Sequence, residues 1–238
     1  MRVLHLSDTH LHAPESTTHH PEIDAAGRLD TVVAAAGDAG PVDAIALTGD
    51  ICDDGSRVGA QAVHDRLTAA YPNVPIVAVP GNHDRTAVVT SVFGMPPARL
   101  GAWRVVTAAT NSWGRIEGSA KPVVAALDAV GAVPTEPLLL LMHHPLRSRS
   151  THEWFVLRHG PALADRLAAL AGPVVILSGH THEAFVAHEG SVWHVGAPST
   201  YYAISHDGPN WTFAPHGAGA QVLDLDPAGG VTITPIRA

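Results

Sequence analysis

The sequence predicts an α/β protein built on parallel strands, and three observations carry that expectation. Short apolar runs recur at residues 3–6, 44–47, 76–79, 138–142 and 174–177, each too short for a helix and bounded by turn residues. Segments with apolar residues at helical spacing lie between several of them, the alternation expected of right-handed βαβ units. Each run also ends in residues able to hold a metal or move a proton. In open α/β sheets ligands bind beyond the carboxyl ends of the strands.

Taken in order, Val3-Leu4-His5-Leu6 runs into Ser7-Asp8-Thr9-His10, followed by a polar loop over 12–23. Leu29, Val32, Val33 and Ala36 set a crossover helix over 27–39. Ala44-Ile45-Ala46-Leu47 leads into Thr48-Gly49-Asp50, and Val63, Leu67 and Ala70 mark one face of a helix over 59–70. Ile76-Val77-Ala78-Val79 ends in Pro80-Gly81-Asn82-His83-Asp84. A short helix is expected over 85–93, a strand at 103–106, and a helix over 123–130 with Pro122 in its first turn. Leu138-Leu139-Leu140-Leu141-Met142 runs into His143-His144-Pro145. Residues 147–159 show no periodicity, while 161–170 read as a helix between Pro161 and Gly172. Val174-Val175-Ile176-Leu177 ends in Ser178-Gly179-His180-Thr181-His182. From about residue 191 the pattern changes to strands at 191–195, 220–225 and 231–236, with Gly and Pro clustered over 207–219. This last part is expected as an antiparallel element appended to a single domain spanning 1–238.

A composition of 46% hydrophobic and 15% charged residues suits an ordered globule. A net charge of −8 argues against a stable nucleic-acid partner, because such binders displace counterions with Lys and Arg. A small phosphorylated substrate fits, since metal ions supply positive charge locally. The single Cys52 excludes an intramolecular disulfide. No apolar run is long enough for a membrane span or a signal-peptide core, so the expected location is cytoplasmic. Of the 17 histidines, His19, His20, His64, His159, His188, His206 and His216 lack strand-end context and are expected to be solvated or merely packed.

The strand-end residues are Asp8, His10, Asp50, Asn82, His83, His143, His180 and His182. Carboxylates, imidazoles and an amide without a thiolate suit Mn, Fe, Zn, Ni or Co and argue against a closed structural zinc–cysteine site. Asp8 and His10, like His180 and His182, are two residues apart, so an extended backbone turns both members of each pair into one crevice. Seven ligands exceed what one ion needs. Two ions about 3.5–4 Å apart, sharing one carboxylate, would use them all.

The ordered set Asp8-Thr9-His10, Gly49-Asp50, Gly81-Asn82-His83-Asp84, His143 and Gly179-His180-Thr181-His182 resembles the calcineurin-like metallophosphoesterase superfamily. The resemblance implies a four-layer sandwich, two mixed β-sheets flanked by helices, and a cofactor of two metal ions, Mn, Fe or Zn. It implies that Asp8, His10 and His182 hold one ion and that Asn82, His143 and His180 hold the other. Asp50 would bridge them, and His83 would face the scissile phosphate as a proton donor to the leaving group. Leu6-Ser7-Asp8-Thr9-His10-Leu11, His143-His144-Pro145 and Gly196-Ala197-Pro198-Ser199-Thr200 are most similar to the bacterial class III cyclic-nucleotide phosphodiesterases. The implied substrate is a 3′,5′-cyclic nucleotide, with a phosphomonoester or a nucleotide diphospho-sugar as rivals. His83, His144, Ser199 and Tyr201 are the expected substrate contacts, and Tyr201, Tyr202 and Trp154 are candidates to stack on a base.

Two other classes compete. Asp8-Thr9-His10-Leu11-His12 also fits the start of an amidohydrolase-type barrel, with His10 and His12 as ligands, but that fold needs eight regular βα units. A non-catalytic scaffold is expected to lose ligands, and all seven are present. His144 either orients His143 or packs beside it. Asp54 and Asp84 are expected to make local hydrogen bonds, and Cys52 to act as a small buried hydrophobe.

Overall fold

Strands apolar on both faces demand cover on both sides. The computed structural model supplies that cover and describes residues 1–18, 20–131, 135–148, 150–208, 210–214 and 217–237. In chain order the first half holds β1 (Arg2–Leu6), α1 (Ala25–Asp38), β2 (Ala44–Leu47), α2 (Arg57–Ala70), β3 (Ile76–Ala78), α3 (Thr86–Phe93), β4 (Arg99–Leu100), β5 (Trp103–Thr107) and α4 (Lys121–Ala129). There follow β6 (Leu138–Leu141), a 3₁₀ turn (Glu153–Phe155), α5 (Gly160–Ala168), β7 (Val174–Ser178), β8 (Phe185–Glu189), β9 (Val192–Gly196), β10 (Ala203–Ser205), β11 (Thr212–Ala214), β12 (Gly219–Leu225) and β13 (Val231–Arg237).

The strands form two mixed sheets, ordered β13-β12-β1-β2-β3 and β4-β5-β6-β7-β9-β8, and a separate hairpin, β10-β11. Within the first sheet β1, β2 and β3 run parallel, and within the second β5, β6, β7 and β9 do. Side-chain alternation sorts the core into three. Leu4, Leu6, Ile45 and Leu47 pack with Leu29, Val32, Val63 and Leu67 of α1 and α2. Val3, Ala46, Val77, Leu139, Leu141, Val175 and Leu177 meet between the sheets. Leu138, Leu140 and Ile176 pack with Val123, Leu127, Leu163 and Leu167 of α4 and α5. Helices, sheet, sheet and helices are therefore four layers, as expected, and the eight-unit barrel is ruled out. Truncating a core side chain such as Leu140, fully buried, to alanine costs about 2–5 kcal/mol.

Local chemistry sets the helix ends. Asp24 accepts a hydrogen bond from the Gly27 N–H, and Ser56 accepts one from the Gly59 N–H, so α1 and α2 each start two residues before the apolar spacing suggests. Ala70, expected on the buried face, lies exposed in the last turn of α2.

The last third departs from expectation. Its strands are not an appended antiparallel unit. β12 pairs with β1 and brings β13 with it into the first sheet, while β9 pairs parallel to β7 in the second. The strands at β4, β8, β10 and β11 were not expected, because two or three residues, or the half-exposed Phe-Val-Ala-His-Glu of β8, carry no apolar run. Among the described residues no helix is long and apolar enough to cross a membrane.

Candidate metal centre

Parallel pairing places the carboxyl ends of β1, β2, β3, β6 and β7 along one edge, and their turns meet there. His182 Nε2 lies 3.4 Å from Asp8 Oδ1 and 3.3 Å from His10 Nε2. Asp50 Oδ2 lies 3.8 Å from His10 Nε2 on that side and 3.3 Å from His143 Nε2 on the other. There His143 Nε2 is 3.2 Å from Asn82 Oδ1, and the His143 and His180 rings are 5.0 Å apart. All of these except half-buried Asn82 are buried.

The backbone is bent to do this. Asp8, His10, Asp50, His180 and His182 all have φ between 47° and 71°, the left-handed region that non-glycine residues avoid at a cost on the order of 1–3 kcal/mol each. Strain so concentrated marks a functional site. The motif glycines serve close approach. A Cβ on Gly81 would strike the Asp50 carboxylate and its backbone nitrogen, and one on Gly179 would strike Ser7 Oγ and Asp8 Oδ2.

Each ring is locked by its outer nitrogen. His10 Nδ1 bonds Asp53 Oδ1 at 2.9 Å, His182 Nδ1 the Tyr202 carbonyl at 2.8 Å, His143 Nδ1 the Thr48 carbonyl at 2.7 Å, and His180 Nε2 the Trp154 carbonyl at 2.8 Å. These acceptors have no proton to give, so each outer nitrogen is the donor and the inner nitrogen of the neutral ring is a bare lone pair. The lone pairs of His10 and His182 then face each other and Asp8, and that of His143 faces Asn82 and Asp50. Converging acceptors need a cation between them, and the donor set is one that divalent and trivalent transition metals accept. The residues fit two such ions: Asp8, His10 and His182 would hold one, Asn82, His143 and His180 the other, and Asp50, whose Oδ2 faces both His10 and His143, would serve both.

The titrations say the same. Burial pulls His143 down, but Asp50 beside it more than reverses this and pushes it up to about 9, so that a proton takes the place a cation would fill. Burial raises Asp8, yet His182 and His143 hold it at about 2. Burial, reinforced by His143, lowers His180 to about 4 and so favours its ligating, neutral form.

His83 stands beside the cluster. Its N–H donates to Asp50 Oδ1 at 2.9 Å and its Nδ1 bonds the Asp53 carbonyl at 3.0 Å, while 26% of the side chain stays exposed. Burial lowers its pKa, but Asp50 and Asp53 more than offset that, and the net shift is upward. Asp53, which the sequence pattern does not single out, joins His10 and His83 through one residue. The signal was its place three residues after Asp50, inside the same turn. Asp54 and Asp84 act through hydrogen bonds, but these are only partly local: Asp54 accepts from Ser56 and from distant Ala13, and Asp84 from the N–H groups of Gly81 and of distant Ile51 and Cys52.

A family model of the Calcineurin-like phosphoesterases matches residues 1–184 of the chain. The chain belongs to the calcineurin-like phosphoesterase family. It is 28% identical over 196 residues to a probable cyclic nucleotide phosphodiesterase of Synechococcus, covering 79% of this chain and 73% of that one. It is 29% identical over 243 residues to the 3′,5′-cyclic adenosine monophosphate phosphodiesterase CpdA of Pseudomonas aeruginosa, covering 95% and 86%. A dimetal phosphatase from Danio rerio superposes with a TM-score of 0.67 at 13% identity, covering 100% of this chain and 96% of that one, a likeness that speaks for the fold.

Above the metal centre of this phosphoesterase is a cavity of about 310 Å³. His10, Asp50, Asn82, His83, His180 and His182 form its floor, and its walls are largely aromatic. Three expected substrate contacts lie elsewhere. Ser199 is fully buried, donates to the Asp8 carbonyl and accepts from the Tyr201 and Tyr202 N–H groups. Tyr201 is buried with its hydroxyl on the His20 carbonyl, and the tyrosine on the cavity is its neighbour Tyr202. His144 has both ring nitrogens occupied, by Thr110 Oγ1 and the Ile116 carbonyl, and packs edge-on against His143. His20, expected to be uninvolved, lines the cavity, whereas His12 bonds only the neighbouring Ala13 carbonyl. Of the basic residues flanking the motifs, Arg85 lies over Trp113 and Arg147 pairs with Glu189. Arg149, His19 and His216 lie outside the described residues.

Proposed function

We propose that this phosphoesterase is a phosphodiesterase with two metal ions, Mn, Fe or Zn, acting on 3′,5′-cyclic nucleotides in the cytoplasm. The observation that carries the two-ion reading is Asp50, whose single carboxylate oxygen lies between the inner nitrogens of His10 and His143. The ions, when bound, lower the pKa of water to make a nucleophile and neutralise charge on the phosphoryl oxygens. The chain does the rest. Its locked rings fix the two ligand sets, and the Asp53 carbonyl and carboxylate orient His83 so that its other nitrogen can give a proton to the leaving alkoxide.

The cavity favours a diester. No Lys or Arg lines it among the described residues, so a dianionic monoester would gain no Lys or Arg partner there, which supports the diester reading. Two relatives that carry the name of cyclic-nucleotide phosphodiesterases support the substrate class. Metal analysis after Mn²⁺ reconstitution should approach two ions per chain, and a value of one that Asp50→Ala leaves unchanged would refute the shared carboxylate. A kcat/KM for cyclic AMP about tenfold or more above that for p-nitrophenyl phosphate, with AMP as product, is expected, and the reverse order would overturn the substrate class.

A further inference from the structure

The cavity walls fall into two aromatic groups. On one side are Trp154 and Phe155 of the 3₁₀ turn and Trp211 before β11, with the Trp154 and Trp211 rings 5.6 Å apart. On the other are His20, Tyr202 and Phe213, with His20 lying flat on Phe213 at 4.0 Å and 8° and Tyr202 against both. No ring contact joins the two groups among the described residues, and both groups line the same cavity. Each wall is tied to the floor through a backbone carbonyl, Trp154 to His180 and Tyr202 to His182. None of these wall residues belongs to the five motifs.

We propose that the two walls form a slot for a flat heteroaromatic group, the purine of the nucleotide, and that Trp211 and Phe213 are specificity-determining residues of this enzyme. The inference rests on the phosphodiesterase reading for what stands on the floor, but the slot itself is argued from the rings. Rings offer a planar substituent their faces, and each stacked base is worth on the order of tenfold to a hundredfold in affinity. A cavity of about 310 Å³ is in the range that holds one small ligand.

The test compares ligands that differ only in the base. With Mn²⁺-loaded protein, calorimetry should give AMP a Kd about tenfold or more below that of ribose 5-phosphate. Trp211→Leu keeps an apolar side chain without the ring and should bring the ratio close to one, whereas Trp211→Phe should restore most of it. Thermal melting shows whether each variant is folded, and Phe213→Leu repeats the comparison if the Trp211 variants are not. Equal binding of AMP and ribose 5-phosphate by the wild type, or an unchanged ratio in a folded leucine variant, overturns the slot. Discrimination by the base without hydrolysis of any diester would leave the slot standing and sink the phosphodiesterase reading instead.

Discussion

Every imidazole of the candidate metal centre, His10, His143, His180 and His182, is fixed twice, by a left-handed or tightly turned backbone and by a hydrogen bond to its outer nitrogen. The walls are built differently. They come from three-residue strands, a 3₁₀ turn and loops, with Trp154 39% exposed, and they meet the floor through one carbonyl bond each and through ring contacts, Phe155 on His180 and Tyr202 on His182. The difference matches the two tasks. Metal ligands and proton donors must hold their geometry within a fraction of an ångström, whereas stacking tolerates sliding. Substitutions in the floor should therefore strike metal content and kcat, and those in the walls KM and selectivity.

The largest effect tests the floor at its shared point. Asp50→Ala should lower the content of both ions and reduce kcat by more than about 10⁴, the upper end for loss of a single proton-transfer group. Retention of one ion in full would mean that the two ligand sets are independent. Next comes His83, which touches the floor through its backbone and presents its ring to the cavity. His83→Ala should keep the metals and lose roughly 10²–10⁴ in kcat on a poor leaving group. With a nitrophenolate leaving group, which needs no proton, the loss should shrink; equal losses would make His83 a positioning residue.

The same contrast decided what could be read from the sequence. Floor residues follow buried strands directly, so a short apolar run ending in Gly and a carboxylate or imidazole locates them, as at Leu47 to Asp50 and Leu177 to His182. Four layers and two mixed sheets came from the family resemblance that those motifs carry; the apolar runs alone gave only an α/β protein with parallel strands. The walls have no such grammar. Tyr201 and Tyr202 are neighbours in an irregular stretch, and which one faces the cavity is set by the Ser199 hydroxyl holding both of their N–H groups, a tertiary fact. Trp211 precedes and Phe213 lies within a strand of three residues in a Gly/Pro-rich segment, too short for alternation to register. His20 reaches the site through tertiary contacts with residues far along the chain, stacking on Phe213, 193 residues away, and meeting Tyr202 edge-on.

Two smaller effects sharpen the boundary between floor and wall. Asp53→Ala removes the carboxylate behind His10 and should weaken binding of the ion on that side by about 10–100-fold in a Mn²⁺ titration. Unchanged affinity would show that the strained backbone alone orients the ring. Trp154→Ala keeps the carbonyl that holds His180, so metal content should be intact. The KM for a cyclic nucleotide should rise by a factor of about five to ten, the lower range for one stacking surface. Loss of metal would instead place Trp154 among the elements that build the floor.

The smallest effect lies beneath both regions, in the layer between the sheets, and at neutral pH it should leave turnover untouched. His5 of β1 is fully buried there. Its Nδ1 accepts from the Gln221 amide at 3.0 Å and its Nε2 bonds Thr48 Oγ1 at 2.9 Å, while Gln221 also donates to the Gly196 carbonyl of β9. The ring is thus a neutral link from the first sheet toward the second. Burial lowers its pKa to about 3, against a smaller upward pull from Asp8. In the unfolded chain it titrates near 6.5, so below that pH the unfolded state binds the extra proton and stability falls. The loss starts as pH drops through 6.5, continues toward 3 and is absent above 6.5, with a slope of at most about 1.4 kcal/mol per pH unit. His5→Gln cannot take up that proton. It should be less stable than wild type at pH 7, through imperfect packing, and the gap should close as pH falls from 6.5 to 5. Urea unfolding of both proteins in chelator measures it, because the titrations of the floor are common to the two and cancel in the difference. A gap that stays constant over that range would mean that His5 is protonated in the folded protein.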